Sequence, residues 1–372
     1  MARIRLFVIR FIRNLKRKIV IPPHTPLDAL RRFAKVGAFV YPQHISWSKD
    51  ECEPYRTAST KAIPADLMAG LVVLASVHLT WLGVREIVSF KKDPDLQDST
   101  GLTGLILIIV ECSGLAASAA SMSYACNASS ISRGIRELKA KYGIPNGNQI
   151  KKLDLIGFYL NSVVVSIVFI PIAFSLLNLY FRINDPIFLS LRSVSIFSPV
   201  AKLIIRVVAL PLLILHCSIM NFGTIIILSN VALMFLDKLA IPKPSSNLEK
   251  QGRYLDRYRE LQIIAVILNH GYYHVMPVGL GCAFLCSVST SYMVIKFVSL
   301  IPLVSLIPAA TIVLCLVGMS HFGLALLVDI EKSSAEYVRY WSSEKGYNPH
   351  WGRKLRSYRR IRFTHVGNEI RG

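Results

Sequence analysis

The residues that could do chemistry in this chain stand far apart and alone. Glu111 sits in the middle of "LILIIVECSGLAASAASMS" with no second carboxylate near it. A charge at the centre of a helix in hydrocarbon costs about 2.5–3.5 kcal/mol on insertion scales, so Glu111 must face protein or a water-filled cavity. His78, His216, His270, His274 and His321 are scattered singly through apolar stretches, as are Asn161, Asn221, Asn230 and Asn269. General acid–base work needs two titratable groups within reach of one bond, and covalent catalysis needs a nucleophile beside its base. No such pairing, and no glycine loop able to cradle phosphate, occurs here, so the reading is of a protein that is not an enzyme, with no catalytic residue and no cofactor. The seven cysteines follow no disulfide framework and no zinc spacing, so no metal site is expected. Cys282 and Cys286 share a helix face as small packing residues. What is left is recognition. Glu111, Tyr159, His216 and Phe222 are the ligand-binding candidates, being polar or aromatic groups placed inside apolar stretches where a ligand could meet them.

The elements that must position these residues are membrane helices. Of 372 residues 53% are apolar and only 17% charged, with mean hydropathy +0.46, which is too apolar for a soluble globule. A hydrocarbon core asks for ~20 apolar residues per crossing. Six stretches meet that length, near Leu67–Phe90, Leu102–Cys126, Leu155–Phe181, Leu203–Leu236, Leu261–Ile295 and Val298–Val328. The predicted fold is an all-α polytopic membrane protein with a cytoplasmic segment at 1–62, a transmembrane helical domain at 63–328 and a second cytoplasmic segment at 329–372. The fourth and fifth stretches are too long for one crossing and are expected to extend into the cytoplasm. Within the second, Gly114, Ala117, Ser118 and Ser121 form a small-residue face that lets a neighbouring backbone come close. Prolines 171, 211, 277, 302 and 308 predict kinks, since each removes a backbone donor.

Charge orients the bundle. The formal net charge is +21, but the basic residues lie between the apolar stretches rather than in one stripe, which argues for membrane orientation and against nucleic acid as a partner. Lysine and arginine are dense before the first stretch, after the second, after the fourth and after the last, and sparse in the loops between. Both termini are therefore expected in the cytoplasm. The opening "MARIRLFVIRFIRNLKRKIV" lacks an unbroken apolar core and a cleavage site, and reads as an amphipathic segment on anionic lipid rather than a signal peptide. Asn127-Ala-Ser129 matches a glycosylation acceptor on the side where no glycan would be added. Asp256-Arg257-Tyr258 spells a receptor triplet at the wrong end of its helix and reads as a solvated helix face.

Two segments in the second half carry a resemblance. "YRELQIIAVILNHGY" at 258–272 and "LRSYRRIRFTHVGN" at 355–368 are similar to segments of the arthropod gustatory and odorant receptor superfamily. The positions that match its tail motif are Leu355, Arg356, Ser357, Arg359 and Gly367, while Arg360 stands where that family usually has proline. The resemblance implies seven crossings, a ligand pocket among the outer halves of the helices and a cation pore lined by the seventh. It implies a homo- or hetero-tetramer of related subunits in the cell membrane, opened by a small tastant or odorant. The family's strongest signature belongs to the seventh helix, and the chain is expected to stop short of it. The function expected is that of a chemosensory receptor subunit of a ligand-gated cation channel, incomplete or non-conducting by itself. A small-solute transporter and a non-conducting assembly subunit are the alternatives.

Overall fold

A computed structural model of the chain describes residues 25–47, 54–89, 98–142, 154–180, 188, 191, 195–240, 248–272, 275–297, 303–344, 358, 360 and 361. The first helix, α1 (Pro26–Val40), begins on a reciprocal cap. The Thr25 hydroxyl accepts from the Asp28 N–H at 3.2 Å, the Asp28 carboxylate accepts from the Thr25 N–H at 3.2 Å, and Pro26 occupies the first helical position. Ala29, Leu30, Phe33 and Ala34 form its buried stripe. A short antiparallel ribbon follows, β1 (Ile45–Trp47) against β2 (Pro54–Arg56), with Ser46 opposite Tyr55.

The rest is helical: α2 (Ser59–Val88), α3 (Asp98–Tyr142), α4 (Leu155–Tyr180), α5 (Pro199–Leu239), α6 (Leu248–Tyr272), α7 (Val275–Phe297), α8 (Leu303–Gly318), a π-turn at Met319–Gly323, and α9 (Leu324–Glu344), which continues α8 without a break. Among the described residues six stretches are long and apolar enough to cross a membrane: Ser59–Val88, Gly101–Ser123, Leu155–Leu176, Pro199–Leu239, Met276–Lys296 and Ile307–Ser343. Six such helices make the chain a helical, multi-pass membrane protein. Their outward faces carry large apolar side chains, such as Leu67, Leu74, Val165, Phe284 and Leu314, as lipid-facing helices should.

Two expectations need correction. The stretch drawn as one long fifth crossing, Leu261–Ile295, is split between two helices, and only α7 has the composition of a span. In α6 the apolar residues Leu255, Tyr258, Leu261, Ile264, Ala265 and Leu268 recur every three or four positions and are all buried, so they serve a protein interface and not lipid. Length beyond one crossing is found in α5, as expected of the fourth stretch, and also in α3 and the α8–α9 rod. At ~1.5 Å per residue, the 45 residues of α3 span roughly 68 Å and the 41 of α5 roughly 62 Å. The second correction concerns Asp256-Arg257-Tyr258. Asp256 is exposed, but Tyr258 is 1% exposed at the centre of an aromatic cluster, so the triplet is not a solvated face.

Buried side chains gather into two main clusters. One joins α1, α4 and α5 with Leu79, Leu107 and Cys315. Residues 25–47 are thus part of the bundle's core: the Phe33 ring lies against Gly223, where an added Cβ would sit 2.4 Å from it. The other joins the end of α5 to α6, α9, Tyr358 and Ile361.

Candidate functional site

Five helices leave a cavity of about 150 Å³ between them. Its wall takes Ile106, Val110, Ser113 and Ala117 from α3, Ile170 and Phe174 from α4, and Ile214, Ser218, Asn221, Phe222, Thr224 and Ile225 from α5. Met276, Gly279, Cys282 and Cys286 come from α7, Ile312 and Leu316 from α8, and Met319 from the π-turn. Among the described residues no charged side chain lines it. A space of this volume, walled mainly by aliphatic side chains, can take up a benzene-sized guest. The few polar atoms are largely committed to their own helices. Ser113 donates to the Val110 carbonyl at 2.9 Å and Thr224 to the Met220 carbonyl at 2.7 Å.

Of the four residues singled out from the sequence, only Phe222 lines this cavity. Glu111 is 5% exposed and turns to α2, where its carboxylate accepts from the Ser76 hydroxyl at 2.7 Å. His216 is fully buried on another face of α5, where its Nδ1 meets the Tyr41 hydroxyl beyond the end of α1 and the two rings stack at 6.0 Å between centroids. Burial raises the Tyr41 hydroxyl well above the ordinary tyrosine range, so it stays protonated. Tyr159 reaches from α4 to the π-turn. Its hydroxyl donates to the Cys315 carbonyl at 2.7 Å, and its ring packs against Phe322 at 5.2 Å and over Gly318. These three therefore tie helices together. Ser218, Ser113 and Thr224 are the cavity residues that sequence reasoning missed, because a lone serine or threonine in an apolar helix usually bonds its own backbone and gives no other signal. Cys282 and Cys286 are the small wall residues their spacing predicts, and Cys286 is buried.

The aromatic cluster at the other end is the second ordered feature. Tyr258 stacks on Tyr337 at 5.1 Å and meets Tyr358 edge-on at 5.7 Å, while Tyr337 donates to the Tyr254 carbonyl at 2.9 Å. Ser334 on α9 is its pivot, sharing a 2.7 Å hydrogen bond with the Tyr258 hydroxyl and accepting from the Ile361 N–H at 2.7 Å. Burial raises the Tyr258 hydroxyl above its ordinary range, and the bond to Ser334 opposes part of that. Tyr358, Arg360 and Ile361 are the described residues of the tail motif region. Leu355, Arg356, Ser357, Arg359 and Gly367 lie outside the described residues. No family model matches the chain, and no curated protein matches it.

Proposed function

We propose that the chain is a receptor subunit of the cell membrane that binds a small, uncharged, largely apolar molecule in the cavity among α3, α4, α5, α7 and α8. As one of four like or related subunits it couples that binding to a cation pore, the chemosensory role that the sequence resemblance implies. The observation that carries the reading is the apolar cavity itself, inside a helical bundle and with no charge on its described wall. A charged solute entering it would lose its hydration with no counter-ion to replace it, whereas a neutral odorant or tastant loses little. The basic loops support cytoplasmic termini, and the aromatic cluster at the end of α5, α6 and α9 supports an inner anchor.

A transporter that moves its solute against Glu111 has less support, because Glu111 points to Ser76 on α2 and is no part of the cavity wall. The test fills the cavity. Gly279 is part of the wall and an added Cβ there would meet nothing within 4 Å, so the side chain of Gly279→Leu can start without a clash and take up cavity space. Cells co-expressing the chain with related receptor subunits are exposed to a panel of neutral volatile compounds, and calcium influx is recorded. Compounds that evoke influx should lose at least tenfold in potency with Gly279→Leu at equal surface expression. Unchanged potency would place the binding site elsewhere and overturn the reading.

A further inference from the structure

The polar atoms on the cavity wall are not balanced between donors and acceptors. Ser113 and Thr224 spend their hydroxyl protons on helix carbonyls at 2.9 and 2.7 Å. Asn221 is oriented by the Val110 carbonyl, which can only accept. Its Nδ2 must therefore be the atom 3.4 Å from that oxygen, which leaves Oδ1 as an acceptor with no donor among the described residues. Ser218 is 4% exposed and lies three residues before Asn221 on the same face of α5, and its hydroxyl makes no hydrogen bond among the described residues. The wall thus offers an amide acceptor at Asn221 Oδ1 and a hydroxyl at Ser218 free to turn either way, while Ser113 and Thr224 keep only acceptor lone pairs.

We infer that Ser218 and Asn221 read a hydroxyl group, and that the cavity's ligand is a small neutral alcohol or phenol. Such a group donates to Asn221 Oδ1 and accepts from the Ser218 hydroxyl, so both wall atoms and both faces of the ligand oxygen are satisfied. A ketone, aldehyde or ether can accept from Ser218 but leaves Asn221 Oδ1 desolvated without a proton. A hydrocarbon leaves both unmet, and a carboxylate brings a charge with no cation to meet it. The inference rests on the cavity being the ligand site.

The probes are benzyl alcohol, benzaldehyde, toluene and benzoate, which share one ring and differ in the group it carries. Binding is measured by equilibrium dialysis against the full chain in lipid nanodiscs, with partition into empty nanodiscs subtracted. Benzyl alcohol should bind about tenfold tighter than benzaldehyde, the ratio that one net hydrogen bond supports, and benzaldehyde should in turn bind tighter than toluene by the bond from Ser218. Asn221→Leu should bring benzyl alcohol and benzaldehyde together, both still above toluene, and Ser218→Ala should weaken benzyl alcohol and benzaldehyde alike. The 3.4 Å bond from Asn221 is weak and the Val110 carbonyl keeps Ser113 as a donor, so Asn221→Leu should leave folding intact. Equal binding of all three neutral probes, unmoved by Asn221→Leu but lost with Gly279→Leu, would overturn the hydroxyl assignment and leave the cavity as the site. No binding above empty nanodiscs would overturn the assignment and the receptor reading together.

Discussion

Replacing Gly114 by alanine measures how closely α3 and α5 depend on a missing side chain. A Cβ at Gly114 would lie 2.9 Å from the Cys217 Sγ, 3.0 Å from its Cβ and 3.1 Å from its Cα, where ordinary contact begins at 3.4 Å. The shortfalls are about 0.5 Å at Sγ and about 0.3 Å at Cα. The Sγ can swing away, but the Cα can retreat only if α5 moves. Overpacking of this kind costs roughly 1–3 kcal/mol. Against it, alanine is favoured over glycine in a helix interior by about 1 kcal/mol. The net loss is therefore about 0–2 kcal/mol, too small to interpret alone.

Gly104 supplies the reference. It lies in the same helix, and a Cβ there meets nothing within 4 Å, so Gly104→Ala carries the propensity gain without the clash. The difference between the two variants isolates the clash and should be about 1–3 kcal/mol. Thermal unfolding of the detergent-solubilised chain, followed by the fluorescence of its four tryptophans, reads that difference. Gly114 also lies one turn from Glu111, so a displaced α3 should loosen the Ser76 bond and lower the unfolding temperature of Gly114→Leu much further. If Gly114→Ala and Gly104→Ala unfold within about 0.5 kcal/mol of each other, lipid rather than close helix contact governs this crossing, and the reasoning fails.

Other perturbations have outcomes of comparable clarity. Tyr159→Phe removes the hydroxyl that donates to the Cys315 carbonyl and should cost about 0.5–1.5 kcal/mol in the same unfolding assay, with an unchanged midpoint counting against that bond. Ser334→Ala removes the hydroxyl shared by the Tyr258 hydroxyl and the Ile361 N–H, so trypsin should cut at Arg360 faster than in the parent chain; equal rates would mean that the other contacts, Tyr258 with Ile361 among them, suffice to hold the segment. Tyr258 keeps its proton in the folded chain above the ordinary tyrosine value of about 10. Its contribution is therefore complete below that pH and lost as pH rises through the window above it, and Tyr258→Phe should flatten the alkaline unfolding slope. Deleting Ser320 should convert the π-turn to α-helix at a cost within about 1 kcal/mol, since the turn holds about one residue more than an α-turn. Inserting alanine there should swing α9 by roughly 100° and abolish the fold.

The crossings were legible because each is an apolar run of sufficient length, and the close approach at Gly114 was legible from the spacing of Gly114, Ala117 and Ser118. The division between α6 and α7 is marked in the sequence by the polar run NHGYYH at 269–274, but the buried stripe of α6 that ends at Leu268 is apolar enough to pass for part of the crossing that begins at Val275. The cavity was hidden for a physical reason. It is a gap among five helices whose walls run from Ile106 to Met319, and no local pattern encodes a void. His216 attracted notice as a lone polar residue, yet its partner Tyr41 lies 175 residues earlier, so its role as a tie between α5 and the segment after α1 could not be read from either neighbourhood.

The α8–α9 rod joins the two ends of the molecule, and its π-turn sets how they face. Ile312, Leu316 and Met319 wall the cavity, while Leu326, Ile330, Ser334, Tyr337 and Trp341 are buried at the other end. At 100° per residue, all eight would fall on one face of an unbroken α-helix, because their intervals are three, four or seven. A single i→i+5 turn takes up about one more residue, so everything after it is rotated by roughly 100° relative to that common face. The sequence therefore carries one stripe, and the π-turn makes it two, one facing α3 and α5 across the cavity and one facing α6 and Tyr358. Tyr159 fixes where the change occurs, since its hydroxyl holds the Cys315 carbonyl and its ring fills the space a Cβ at Gly318 would need, 2.4 Å from Cε2. A molecule pressing on Leu316 and Met319 thus bears on the same rod that seats Ser334, and α4 holds the point where that rod changes pitch.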